Sequence, residues 1–257
     1  MTENPYQTPD ESNEPVAPVK KGSRTGLIVK LLVGVVVVLF LIALWLPAQR
    51  GVRPAALRMQ CSNNLKQVML ALHNYEETYH ALPPAYTVDE QGNPLHSWRT
   101  LILPYIEQKA LYDKIDLAKP WNDPVNQQAR DSHVPAYACP SADMPRGNTN
   151  YLAIVSAGSC LQPGKARPLS EITDEHRLTL VVVETDAEHS VPWMEPTDMN
   201  EDMLLEQFAA RRGPHPQVIY ATFVDGSVGP MDDDTSAVDL KALISIAGND
   251  PTSRHVD

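Results

Sequence analysis

The chain has 257 residues, 43% of them hydrophobic, and 32 acidic residues against 21 lysines and arginines give it a net charge of −11. A chain this acidic is poorly suited to the phosphate backbone of nucleic acids, so no nucleic-acid partner is expected. The mean hydropathy of −0.27 also excludes a transporter with several membrane spans.

The first 26 residues contain four prolines and no apolar periodicity. Such a segment buries too little apolar surface to offset the entropy lost on ordering. Residues 1–26 are therefore predicted to form a disordered tail.

The next segment, from Leu27 to Leu46, is 20 residues long and almost wholly apolar. As a helix it would be about 30 Å long, the thickness of a bilayer's hydrocarbon core. Its one charge, Lys30, lies near the start, where a lysine can extend to the interface. We predict a transmembrane helix over 27–46, with the lipid bilayer as its partner. The alternative, a cleaved signal peptide, usually has a shorter apolar region.

Residues 47–257 carry a net charge of −11, as expected for a soluble domain. Apolar residues first recur there at a helical spacing: Leu57, Cys61, Leu65, Val68, Leu72, Tyr75 and Tyr79. This stripe predicts an amphipathic helix that ends at Pro83-Pro84. A second, irregular helix is predicted over 98–106, because Pro104 interrupts it.

Strand-like runs follow at 149–156, 178–185 and 218–224, and a final helix is predicted over roughly 236–247. The last run leads into Asp225-Gly226, a hairpin turn signal. A long helix followed by a few strands indicates the α+β class.

Several stretches resemble a large bacterial prepilin-type family known as domain of unknown function 1559. They are residues 46–86, SWRTLILPYIEQKALYDKID, PWNDP, VPAYACPS, SVPWMEP and HPQVIYATFVDGSV, and they extend from 46 to about 230. The C-terminal signature of that family is a His, nine residues and Asp-Gly, here His215 and Asp225-Gly226. The resemblance implies a pilin-like fold, in which the long N-terminal helix packs on a small, mainly antiparallel sheet.

The membrane helix departs from the family pattern, which begins Gly-Phe-Thr-Leu-Ile-Glu and is cleaved after Gly. An ungapped count places Thr25-Gly26-Leu27-Ile28-Val29-Lys30 at those positions. The cleavage junction is absent, and a lysine replaces the glutamate that pairs with a neighbouring amine. We therefore expect an uncleaved, permanently anchored relative rather than an ordinary pilus subunit.

The three cysteines are Cys61, Cys139 and Cys160. The resemblance implies a disulfide between Cys61 and Cys139, which leaves Cys160 free; three reduced thiols are the alternative if the domain faces the cytoplasm. Charge does not decide the topology, because three basic residues lie on each side of the span. The resemblance places the N-terminus in the cytoplasm and residues 47–257 outside the cell membrane.

His215 and Asp225 could suggest catalysis or a metal, yet ten residues of extended chain would hold them roughly 30 Å apart. We interpret Asp225 and Gly226 as the hairpin turn and His215 as a structural residue at the entrance of the strand. Two acidic clusters, Glu184/Asp186/Glu188 beside His189 and Asp232–Asp234, could bind Ca²⁺ but are interpreted as solvated loops.

The sequence contains no nucleotide-binding, zinc-protease or serine-hydrolase motif, and neither an enzyme nor a cofactor is expected. The leading hypothesis is a pilin-like anchored protein with a structural or interaction role among other envelope proteins. The alternative is a membrane-tethered solute-binding protein, whose apolar pocket would use Trp98, Trp121 or Trp193. We favour a different interpretation of these tryptophans, namely ordinary packing in the hydrophobic core.

Overall fold

The computed structural model describes residues 24–215, 218–232 and 235–248, and the side chains among them apart from residues 24 and 44–53. The predicted disordered tail lies outside these residues except for its last three. The chain divides into two compact units, 1–51 and 52–257.

Helix α1 spans Arg24–Tyr79 and contributes to both units. In the first unit, residues Thr25–Ala43 form a candidate membrane span of 19 residues with a mean hydropathy of 3.0 and no buried side chain. The large apolar side chains from Leu27 to Ile42 are 46–64% exposed. By length and composition this helix could span a membrane, and it overlaps the span predicted over 27–46.

In the second unit, the middle of the predicted amphipathic stripe of α1 is buried, whereas Leu57 and Tyr75 are half-buried and Tyr79 is exposed. Cys61, Leu65, Val68 and Leu72 are fully inaccessible and belong to the main hydrophobic cluster. The helix ends at Tyr79, before the prolines, because His80 adopts a left-handed conformation (φ 57°). Its amide donates to the Glu76 carbonyl, which closes the helix C-terminus.

The central sheet has four antiparallel strands. In their spatial order they are β4 (Tyr151–Ala153), β5 (Leu180–Glu184), β7 (Val218–Phe223) and β8 (Val228–Asp232). Every residue of β5 is buried. The sheet contributes to two hydrophobic clusters, one shared with α1 and one shared with helices α5 (Glu201–Ala209) and α6 (Ala237–Ile244). The α+β class is therefore confirmed.

Two short antiparallel pairs complete the strands, β1 (Tyr86–Val88) with β2 (Pro94–Ser97) and β3 (Asn148–Thr149) with β6 (Val191–Pro192). The remaining α-helices are one turn long: α2 (Trp98–Leu101), α3 (Lys109–Tyr112) and α4 (Gln127–Arg130). The 3₁₀ turns are Leu103–Ile106, Pro124–Asn126, Pro135–Tyr137, Leu169–Glu171 and His176–Leu178.

Two predicted elements are interrupted. The helix expected over 98–106 becomes α2 and a 3₁₀ turn, with Pro104 in the turn. The strand expected over 149–156 divides into β3 and β4, which lie in different sheets. Asn150 lies between them, and its buried side chain accepts from the Cys139 amide and donates to the Thr185 carbonyl. The backbone carbonyl of Asn150 also accepts from the Thr185 amide, so this residue stays attached to the segment that follows β5.

Candidate functional site

The predicted disulfide is confirmed: Cys61 on α1 is bonded to Cys139, and their α-carbons lie 4.8 Å apart. Both residues are buried. One helical turn beyond Cys61, the side-chain amide of Asn64 donates to the backbone carbonyls of Pro135 and Ala138 at 3.2 and 2.8 Å. The loop that carries Cys139 is thus attached to α1 by one covalent link and two hydrogen bonds.

The third cysteine, Cys160, is free and buried, as predicted. Its thiol donates weakly to the Leu180 carbonyl, and burial raises its pKa to about 12. A thiol held neutral in this way is a poor nucleophile, so Cys160 is not a candidate reactive group.

His215 lies against the disulfide. Its Nε2 is 3.5 Å from Cys139 Sγ, and its ring meets the Tyr220 ring edge to face at 5.5 Å. The residue is buried and forms an isolated bridge with Val218 at the start of β7, which agrees with the predicted place at the strand entrance. The contact with the disulfide was not predicted.

Asp225 and Gly226 form the turn between β7 and β8, as predicted. Asp225 Oδ1 accepts from the Ser227 amide at 2.8 Å, and Gly226 has φ +89°, which L-residues rarely adopt. Asp225 is exposed, whereas His215 is buried, and β7 lies between them. The structure therefore does not bring the two signature residues into one site.

Glu184 corrects the expectation of a solvated acidic loop, because it is the last residue of β5 and is fully buried. Its Oε1 accepts from the Tyr220 amide at 2.8 Å. Its Oε2 lies 3.6 Å from His215 Nε2 and has no hydrogen-bond partner among the residues that the structure describes. The neighbouring members of the expected cluster are more accessible; Asp186 pairs with His189 at 2.7 Å.

Burial sets the charge state of this pair. It raises the pKa of Glu184 to about 8, and it lowers the pKa of His215 to about 4, with a smaller contribution from Arg58. Burial thus opposes the charged form of both groups, the Glu184 carboxylate and the His215 imidazolium. The second acidic cluster is less informative, since Asp232 is exposed on β8 and residues 233 and 234 lie outside the described residues.

A buried ion pair between Arg99 and Asp198 was missed by the sequence analysis. The guanidinium lies 2.7 Å from Asp198 Oδ1, with the two side chains 0% and 2% exposed. Its nitrogens also donate to the backbone carbonyls of Tyr151, Trp193, Glu195 and Thr197. Asp198 in turn accepts from Trp98 Nε1 and the Ala153 amide. The pair joins α2, β4 and the 193–198 loop, which is a structural role.

The tryptophans proposed for a solute pocket pack in the core instead. Trp98 and Trp193 are 0% and 1% exposed, and Trp121 packs partly buried against the same cluster. Three concavities among the described residues have volumes of about 30, 260 and 320 Å³, and no tryptophan contributes to any of the three. The 320 Å³ concavity is open to solvent and includes Cys139, His133 and Arg146 in its wall.

A comparison with known protein families matches the middle part of the chain. Residues 50–176 match a family described as protein of unknown function (DUF1559). No curated protein and no solved structure matches the chain. The DUF1559 match includes both bonded cysteines, whereas Glu184, His215 and the Asp225 turn lie beyond it.

The role of the Asp225 turn can be tested by substitution. Asp225→Ala removes one exposed turn hydrogen bond and should lower the free energy of unfolding by about 1 kcal/mol. Urea denaturation of the full chain in detergent measures this. Asp225→Asn retains an acceptor oxygen and should stay closer to the wild type; equal losses in both variants would contradict the turn-bond account.

Proposed function

We propose that the protein is a single-pass, membrane-anchored, pilin-like protein with a structural or interaction role in the cell envelope. Its N-terminus lies in the cytoplasm and its second unit outside the membrane. The proposal includes no catalytic activity. The observation that supports it most is a disulfide-bonded domain in a chain that also has an exposed apolar helix of membrane-spanning length.

The disulfide supports the proposed orientation of the chain in the membrane. Disulfides persist in oxidising environments outside the cytoplasm and are rare inside it. A domain that contains the Cys61–Cys139 bond is therefore expected on the outer side of the membrane, after the span. With a single span, the N-terminal tail then lies in the cytoplasm.

The exposed side of α1 supports an interaction role over solute binding. Met59 and Leu70 are 67% and 60% exposed, and their separation of about three helical turns places them on one face. Between them, Asn63, Lys66 and Gln67 are also exposed, so this face has a single charge. By contrast, the described concavities are small or open, whereas solute sites usually enclose most of a ligand.

The orientation is tested by adding a protease to spheroplasts that express the full chain with an N-terminal epitope. We expect the second unit to be degraded while the epitope survives, and lysis should then expose the epitope as well. A second unit that is protected until lysis would contradict the proposed topology.

The interaction role is tested with a photo-crosslinking amino acid at Gln67, and at Asp202 on α5 as a matched exposed control. Adducts of defined mass from Gln67 but not from Asp202 would support a protein contact on this face. The alternative function predicts something else: a small molecule that is released when the natively purified protein is denatured, detectable by mass spectrometry.

Processing provides a further prediction, because Thr25-Gly26-Leu27 stands where a prepilin cleavage junction would be. The purified protein should retain its N-terminal tail, apart from removal of the initiating methionine. Intact-mass spectrometry measures this, and a mature chain that starts with a methylated residue near Leu27 would contradict it.

A further inference from the structure

Three potential metal-ligand atoms converge at the disulfide, and a fourth lies beside one of them. Cys61 Sγ, Cys139 Sγ and a ring nitrogen of His215 all lie within 4.8 Å of one another, and all three residues are buried. Glu184 Oε2 lies 3.6 Å from His215 Nε2. Two sulfurs, an imidazole and a carboxylate form a donor set that suits Zn²⁺.

The spacing around His215 matches a tetrahedral metal site. With Zn–N and Zn–S bonds of about 2.0 and 2.3 Å, a nitrogen and a sulfur ligand are roughly 3.5 Å apart, and nitrogen and oxygen ligands roughly 3.3 Å apart. His215 Nε2 is 3.5 Å from Cys139 Sγ and 3.6 Å from Glu184 Oε2. The His215 nitrogen is therefore at about the distance from each neighbour that a shared metal ion requires, and Glu184 completes the set if its carboxylate turns toward the sulfurs.

Glu184 provides an independent observation. Its Oε2 is buried and has no hydrogen-bond partner within the described part of the chain, although its Oε1 accepts from the Tyr220 amide. An unsatisfied buried oxygen is costly, and a bound ion or an ordered water is one explanation for such a group in a native protein. The free oxygen lies beside His215, the same residue that contacts the disulfide.

We propose that reduction of the Cys61–Cys139 disulfide converts this cluster into a site for Zn²⁺ or a similar divalent cation, with Cys61, Cys139 and His215 as ligands and Glu184 as the fourth. A dithiol reductant supplies two electrons and two protons: one of its thiolates attacks a sulfur of the disulfide, and its second thiol then closes the reductant's own disulfide. Metal binding releases the two thiol protons to solvent, together with the Glu184 carboxyl proton where that group is protonated, and leaves two thiolates and a carboxylate on the ion. Disulfide and metal are thus alternative states of the same two sulfurs.

The site has a route to solvent. Cys139 contributes to the wall of the open 320 Å³ concavity, which also includes His133 and Arg146. A small dithiol or a cation that enters this concavity reaches residue Cys139; because Cys61 and Cys139 are 0% and 1% exposed, a local opening must then uncover the sulfurs. Coordination requires the sulfurs to separate from bonding distance to roughly 3.8 Å, a change that side-chain rotation can provide.

The test uses Co²⁺, which gives a strong visible spectrum in tetrahedral thiolate sites. The full chain in detergent is reduced with dithiothreitol, separated from the reductant under nitrogen, and titrated with Co²⁺ and then with Zn²⁺. We expect one equivalent of Co²⁺ to bind with thiolate charge-transfer and tetrahedral d–d bands, and Zn²⁺ to displace it. The oxidised protein should bind no Co²⁺ in this way. A reduced, folded protein without these bands would overturn the proposal.

Variants separate this site from adventitious binding. Cys160→Ala should leave the spectrum unchanged, because Cys160 is not in the cluster, whereas His215→Asn should lower the affinity at least tenfold and Glu184→Gln should lower it less. Near-ultraviolet circular dichroism checks that each variant is folded. If any variant unfolds, the comparison between the oxidised and reduced wild type still decides the question. Bands that require Cys160, or that persist at full affinity in His215→Asn, would refute the assignment.

Discussion

Replacing Arg99 by alanine is expected to lower the free energy of unfolding by about 3–5 kcal/mol, the usual cost of breaking a buried ion pair by removing one partner. The change leaves the Asp198 carboxylate buried without its counter-charge. It also leaves four backbone carbonyls without the guanidinium donors that now bind them. Since domains are typically stable by only about 5–15 kcal/mol, the variant should be largely unfolded under mild denaturing conditions.

Urea denaturation of the full chain in detergent, followed by tryptophan fluorescence, measures this loss, because Trp98 and Trp193 lie beside the pair. The control is Lys109→Ala, which removes an exposed pair with Asp113 in which the side chains are 68% and 55% accessible. It should cost less than about 1 kcal/mol. Arg99→Lys keeps the charge but loses the planar fork, so an intermediate loss is expected. Equal effects of Arg99→Ala and Lys109→Ala would show that the buried pair has no special role.

Short-range sequence patterns were sufficient to predict the elements whose apolar residues recur at a regular spacing within one segment. The α1 stripe from Cys61 to Leu72 is buried as the helical spacing predicts, and β5 and β7 lie within the predicted strand-like runs. The Asp225-Gly226 turn follows from the same kind of short-range signal. Helix α5 was missed, although Asn200 caps it by accepting from the Met203 amide and Glu201 begins its first turn. An asparagine cap followed by acidic residues is a sequence signal for a helix start.

The candidate site was less predictable because it depends on which strands become neighbours. Glu184 was grouped with Asp186 and Glu188 because they are adjacent in sequence, yet the strand places it in the core beside Tyr220 of β7. No short-range pattern states that β5 pairs with β7. The same limit applies to the Arg99–Asp198 pair, whose partners are 99 residues apart. Long-range pairs of this kind become visible only when the fold brings them together.

The second large effect expected is from the disulfide, which joins residues 78 positions apart. In the chain-entropy model, a loop of this length contributes roughly 4.5 kcal/mol by restricting the unfolded chain. The double variant Cys61→Ser/Cys139→Ser should therefore lose about 4 kcal/mol in urea denaturation of the full chain in detergent. Reduced wild-type protein without metal should show a similar loss.

Cys160→Ala is the matched control, because it removes a buried sulfur that closes no loop. It should cost about 1–2 kcal/mol, as expected for a small core truncation. If the double serine variant loses no more than this control, residues 61–139 are held together in the native state chiefly by other contacts, with the two Asn64 hydrogen bonds as the nearest candidates. A loss near 4 kcal/mol would instead mean that reduction places the fold close to its stability limit. A ligand that binds only the folded, reduced protein would then have a measurable stabilising effect, because such binding raises the free energy of unfolding in proportion to the logarithm of ligand concentration.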